Sequence, residues 1–133
     1  MAKLRVMIVD DHEVVRIGLK SLLSHYERFE VVGEAGSAKE ALDQALRLHP
    51  DIVLMDIRLP YEDGYSALRK IRQSGRLKDV PVIAVTAEAS TEQMNKARQS
   101  GFNGFLGKPL DPDLFPDQIQ RILAGEPVWE MSY

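Results

Sequence analysis

Cysteine is absent from the 133 residues, so neither a disulfide framework nor thiol chemistry is available. No run approaches the roughly 18 consecutive apolar residues that a membrane span requires. The opening Met1-Ala2-Lys3-Leu4 passes directly into an apolar run and an acidic pair, leaving no signal-peptide core. A cytoplasmic location is the expectation, without membrane contact. Charge of one sign is also lacking: 17 basic against 20 acidic residues leave −3, and nothing draws the chain as a whole to nucleic acid. The three histidines, His12, His25 and His49, lack the spacing of a metal-ligand set and receive no role. Length is short for two cores, which predicts one domain over residues 1–124 and a tail over 125–133. The hydrophobic share of 44% and charged share of 28% exclude a disordered chain.

What is present is a repeated pattern. Four apolar runs each end on polar residues that a buried strand does not need: Val6 to Val9 on Asp10 and Asp11, Ile52 to Met55 on Asp56, Val82 to Val85 on Thr86, and Gly104 to Gly107 on Lys108. Short continuous apolar runs read as strands covered on both faces, and such strands belong to parallel sheets. Their carboxyl ends open on one edge, where ligands of open α/β sheets bind.

Helical patterns alternate with these strands. Val15, Leu19, Leu22, Leu23 and Tyr26 form an apolar stripe, with Arg16, Lys20 and Ser24 on the opposite face. Phe29 to Val32 suggests a second strand. Ser37-Ala38-Lys39-Glu40 has capping-box form, and the helix behind it should stop before His49-Pro50. Ile57 to Gly64, with Pro60 and Asp63-Gly64, reads as a loop. Tyr65, Leu68 and Ile71 mark a third helix that Gly75 is expected to end. Ser90-Thr91-Glu92-Gln93 caps a fourth, whose only clear apolar positions are Met94 and Ala97; so thin a stripe predicts a loosely held element that ends at Gly101. The last helix carries Leu114, Phe115, Ile119, Ile122 and Leu123, with a turn expected first and regular helix after Pro116. The tail from Gly125 is read as too short for another element, lying on the surface with Trp129 docked.

Five βα units predict a flavodoxin-like, doubly wound parallel sheet of strand order 2-1-3-4-5. Strands one and three are then neighbours, and Asp10, Asp11 and Asp56 land together. Three close carboxylates repel, so either one takes up a proton or a cation joins them. Mg²⁺ suits such an oxygen set. A carboxylate can attack phosphorus, and a lysine and a hydroxyl opposite would neutralise and orient the phosphoryl group. Lys108 and Thr86 supply them. Standing alone, Asp10 and Asp11 would read as helix caps and Lys108 as a solvated charge; it is their combination that carries the chemistry.

With these residues in place, the chain resembles the receiver domain of two-component response regulators over about its first 124 residues. The resemblance implies that Asp56 is the phosphoacceptor, that Asp10 and Asp11 hold Mg²⁺, that Thr86 is the switch hydroxyl and that Lys108 is the family's lysine. It further implies direct metal binding by Asp11, the Asp56 carboxylate and the Arg58 carbonyl, with Asp10 acting through water. Ala87 matches the small residue after the switch threonine, and Lys108-Pro109 matches a bond commonly cis in the family. Phe105 corresponds to the aromatic switch residue, although a strand phenylalanine reads equally well as core. Arg58 and Glu88, two residues beyond Asp56 and Thr86, should border the phosphoryl group.

The function so implied is acceptance of a phosphoryl group from a sensor histidine kinase or a phosphotransfer protein. Catalysis is limited to the domain's own phosphorylation and dephosphorylation, so the chain is not read as an enzyme. Signalling is expected through the face of helix four, strand five and helix five, toward a protein target and not nucleic acid. A stand-alone regulator is the first reading; a piece of a longer DNA-binding regulator is the alternative. Phosphorylation-dependent pairing of two copies stays open. A haloacid-dehalogenase-like phosphatase would need Asp-x-Asp after the first strand, where Asp10-Asp11-His12 stands, and a flavodoxin would not place carboxylates against its phosphate.

Overall fold

In the computed structural model, residues 3–87 and 90–130 are described. The strands β1 (Leu4–Val9), β2 (Phe29–Ala35), β3 (Ile52–Met55), β4 (Val82–Thr86), β5 (Gly104–Gly107) and β6 (Trp129–Glu130) alternate with five helices. These are α1 (Glu13–Ser24), α2 (Ala38–Leu48), α3 (Gly64–Gln73), α4 (Thr91–Ser100) and α5 (Phe115–Leu123). All pairings are parallel, in the order β2-β1-β3-β4-β5-β6.

Residues of β3, β4 and β5 are buried throughout, as expected of strands sandwiched between two helical layers. One layer packs Met7, Val9, Val53, Met55 and Phe105 with Leu68 and Ile71 of α3. The opposite layer packs Val6, Ile8, Leu54, Ile83 and Leu106 with Leu19 and Leu23 of α1 and Ile119 and Ile122 of α5. Each such aliphatic side chain contributes roughly 1.5–3 kcal/mol by leaving water, so the sheet is the rigid frame on which the polar edge is mounted.

Four sequence expectations need correction. The second strand does not stop at Val32: the register slips between Val6 and Met7, and β2 continues past the bulge to Ala35. A bulge breaks side-chain alternation, which hid the continuation. Helix α3 ends at Gln73, and it is Ser74, in extended backbone, that closes it rather than Gly75 in a left-handed turn. Helix α5 begins at Phe115 with Pro116 in its first turn, where a missing N–H costs nothing, and Leu114 is exposed instead of joining the buried stripe. Finally, the tail does form an element, since Trp129 pairs with Phe105 and Glu130 with Leu106.

Other local signals act as their chemistry requires. The Ser37 hydroxyl accepts the Glu40 amide while the Glu40 carboxylate accepts the Gly36 amide, and Ser90 accepts the Gln93 amide. Gly101 closes α4 at φ 102°. Helix α4 buries only Ala97, with Met94 partly covered. Its other ties are polar or cationic: Tyr65 Oη donates to Gln93 Oε1 at 2.8 Å and Lys96 Nζ lies 4.4 Å from the Tyr65 ring. Exposed cation–π contacts of this kind contribute about 0.5–1 kcal/mol, less than one buried aliphatic, so α4 has the thinnest apolar anchorage of the five described helices.

Candidate functional site

The site is built at the ends of β1 and β3, which are adjacent at the point where the strand order reverses. The Asp10 amide donates to Ala35 O at 2.9 Å and the Asp56 amide to Val9 O at 2.8 Å, so the sheet ladder itself delivers both residues to one rim. Side-chain ligand atoms of Asp10, Asp11, His12 and Asp56 all lie within 4.8 Å of one another. Asp10 and Asp56 are buried, whereas Asp11 opens toward solvent.

Lys108 reaches into this cluster from the end of β5, with Nζ 2.7 Å from Asp10 Oδ2 and 3.4 Å from Asp56 Oδ2. Its amide donates to Thr86 O at 2.9 Å, and the Lys108–Pro109 bond is cis. Thr86 is buried at the end of β4. Met55 pairs with Ala84, so Asp56 and Thr86 leave neighbouring strands within one residue of the same level. The Arg58 amide donates to Asp56 Oδ1 at 3.2 Å, folding the loop after β3 around the carboxylate. Ala87 is exposed beside Lys108 and Pro109. Phe105 lies inside β5, fully buried and away from the rim; Glu88 lies outside the described residues.

Burial pushes the Asp56 carboxyl above its usual range. The Lys108 ammonium and the Arg58 amide work against this, while neighbouring Asp10 adds to it. Among the described residues, three carboxylates (Asp10, Asp11 and Asp56) gather beside the one Lys108 ammonium, a deficit of positive charge. A hard divalent cation fits that deficit: the donors are carboxylate oxygens, and the exposed side at Asp11 leaves room for water ligands.

Sequence reasoning missed three contributors. His12 is not a bystander: its Nδ1 lies 3.1 Å from Asp10 Oδ1 and 3.2 Å from Asp11 Oδ1, and its amide donates to Asp10 Oδ1 at 2.9 Å. Adjacency to the acidic pair was the available signal; a search for spacing between histidines overlooks it. Arg16, placed on a polar helix face, donates to Asp10 O at 2.5 Å and to Glu34 Oε1 at 3.2 Å, locking the loop after β1. Hydrogen bonding from Lys20, with help from Arg16, holds the Glu34 carboxyl below its ordinary value.

Gly64 is the third. Asp63 caps α3 by accepting the Ser66 amide at 2.9 Å, which places Gly64 against the chain that carries the site. A Cβ on Gly64 would stand 2.8 Å from Asp56 O and 2.8 Å from Ile57 Cα, both immovable backbone atoms. Gly64→Ala is expected to cost about 1–3 kcal/mol through overpacking and to weaken divalent-cation binding by shifting the loop after Asp56. Thermal melts with and without Mg²⁺ measure both; an unchanged melt would contradict the close approach.

Comparison with known proteins matches this geometry to a family. The model of the response regulator receiver domain matches residues 6–120. The chain belongs to the response regulator receiver domain family. The response regulator protein VraR of Staphylococcus epidermidis is 35% identical over 127 residues, covering 96% of this chain and 60% of VraR. The chain thus spans about 60% of the length of the curated relatives it matches. Among solved structures, a two-component response regulator of the LuxR family from an Aurantimonas species is 34% identical at TM-score 0.87, with 97% of this chain and 90% of that one covered. The signal receiver domain of the putative response regulator NarL from Mycobacterium tuberculosis is 28% identical at TM-score 0.84, covering 95% of this receiver and all of that one. In this receiver, as the sequence predicts, the strands β1 to β5 follow the order 2-1-3-4-5.

Proposed function

We propose that this receiver accepts a phosphoryl group on Asp56 from the phosphohistidine of a sensor kinase or a phosphotransfer protein. The observation that carries the reading is the meeting of Asp10, Asp11, Asp56 and Lys108 at one rim of the sheet. An Asp56 carboxylate oxygen attacks phosphorus, the bond from phosphorus to the donor imidazole nitrogen breaks, and the imidazole leaves with the electron pair. Asp10, Asp11, the Asp56 carboxylate and the Arg58 carbonyl would hold Mg²⁺. When bound, the ion supplies charge neutralisation at the phosphoryl oxygens. Lys108 supplies the opposing positive charge, and the Thr86 hydroxyl donates to a phosphoryl oxygen. Water later cleaves the acyl phosphate, a lifetime that Arg58 and Glu88 tune. The chain acts in the cytoplasm, and its catalysis ends with its own phosphorylation and dephosphorylation.

Output runs through a population shift. As Thr86 moves to the phosphoryl group, Phe105 takes up the released space and the weakly anchored α4 repositions, presenting α4, β5 and α5 to a downstream protein. A few kcal/mol of differential binding is enough for such a bistable element. Beryllofluoride with Mg²⁺ is expected to change amide exchange in α4 and β5 and leave β1 and β3 unchanged. Identical exchange with and without the mimic would refute this route. The partial coverage of the curated relatives favours a second reading, in which residues 1–124 are the regulatory part of a longer regulator. A reading frame that ends at Tyr133 decides for the stand-alone case.

A further inference from the structure

Helix α1 starts on a residue that does not cap it. The N-cap position favours Ser, Thr, Asp or Asn, whose side-chain oxygen accepts a free amide of the first turn. Ser37, Asp63 and Ser90 do this for α2, α3 and α4. His12 holds the same place in α1, and its side chain makes no cap bond. The imidazole instead meets the acidic rim, with Nδ1 3.1 Å from Asp10 Oδ1 and 3.2 Å from Asp11 Oδ1. Its own amide donates to that same Asp10 oxygen at 2.9 Å, a tight turn that holds the histidine backbone against the acidic pair.

Three consecutive residues therefore offer two carboxylate oxygens and one nitrogen to a common point, with Asp56 in the same group. Ligand atoms that are neighbours around an ion at about 2.1 Å stand roughly 3.0–3.4 Å apart, in octahedral or in tetrahedral geometry. Both His12 separations fall in that interval, so a single ion can meet the three atoms with little rearrangement. The imidazole side chain is 65% exposed, which leaves the outer side of such an ion open to water. Neither His25 nor His49 joins a cluster of this kind among the described residues.

The nitrogen changes which ion the pocket prefers. Carboxylates alone suit a hard ion such as Mg²⁺, whereas imidazole suits Zn²⁺, Fe²⁺ and Ni²⁺. We propose that His12 is a metal ligand of this receiver and that its nitrogen gives the pocket selectivity for a first-row transition ion over Mg²⁺. Nδ1 directs its lone pair to the ion, and the ring proton resides on Nε2. The inference rests on the acidic rim being a divalent-cation pocket and adds to it the choice of ion.

The test uses the full chain with ¹⁵N-labelled histidine, titrated with Zn²⁺ or Mg²⁺ in the absence of a phosphodonor, so its outcome is independent of Asp56 reactivity. Zn²⁺ is expected to move the His12 Nδ1 resonance to the position of a coordinated nitrogen, and Mg²⁺ is not. Calorimetry on His12→Asn, a residue well suited to an N-cap, should show the ratio of Zn²⁺ to Mg²⁺ affinity falling at least about tenfold, the lower end of what even a supporting partner of a ligand contributes. A histidine that only positioned Asp10 and Asp11 would weaken both ions alike and leave the ratio unchanged, which overturns the proposal. Zn²⁺ binding that leaves the Nδ1 resonance of the native chain in place overturns it as well, whatever the variant does, and leaves the Mg²⁺ pocket standing. A native chain that binds neither ion removes the pocket itself and the proposal with it.

Discussion

Asp56→Asn is expected to abolish phosphorylation by acetyl phosphate and Mg²⁺ while making the protein more stable than the native chain. Intact mass should show a gain of one phosphoryl group in the native chain only. The stability gain has a definite sign. Burial raises the Asp56 pKa in the folded state, so the protonated form is the one the fold favours. That contribution is fully present below the unfolded value of 3.8 and is lost as pH rises through the folded-state pKa. In chelator at neutral pH the native chain therefore folds around an unfavourable carboxylate, a penalty that asparagine does not carry. The stability difference should close as pH falls below 3.8. Urea melts across this range measure it, and a native chain that gains stability on going from acid to neutral pH relative to the variant would contradict the assignment. Phosphorylation of the variant would move the acceptor elsewhere.

The second large effect belongs to Lys108→Met. Its ammonium touches Asp10 and Asp56, whose side chains are only 2% and 6% exposed. Removing one partner of a buried ion pair leaves uncompensated charge and costs about 3–5 kcal/mol. For a chain of this size that corresponds to a fall in Tm on the order of 10 °C. Two conditions should relieve the loss: acid, which protonates the Asp56 carboxyl whose pKa burial has raised, and Mg²⁺, which replaces the missing cation. Phosphorylation should slow by about two to three orders of magnitude, the usual consequence of removing one preorganised charge from a transition state. A variant that melts like the native chain in chelator would show that solvent already screens the acidic pocket. One whose deficit is the same in chelator and in saturating Mg²⁺ would place the metal away from these carboxylates.

Both predictions draw on a site that was largely legible before any coordinates. The apolar runs ending on Asp10-Asp11, Asp56, Thr86 and Lys108 placed those residues at strand ends, because a strand buried on both faces must be apolar until it reaches the rim. Capping at Ser37 and Ser90, and the thin stripe of α4, were equally readable, since they depend on neighbours within a few residues. The bulge that carries β2 to Ala35 was not, because alternation is the signal for a strand and a bulge destroys it. Nor was β6, since two residues have no periodicity to read.

The sequence alone determined the order of the five βα units, the class of the sheet and which side chains reach its carboxyl edge, because local periodicity and chain direction dictate these. Only the tertiary structure decided which groups touch. Lys108 stands 98 positions from Asp10 yet lies 2.7 Å away, and its choice of Asp10 over Asp56 depends on the stagger of four strands. Likewise the reach of Arg16 from α1 to Asp10 O and Glu34, and the placing of Trp129 beside β5 with Arg98 over its ring, depend on helix placement across the sheet. No pattern along a chain encodes a distance between segments that meet only after folding.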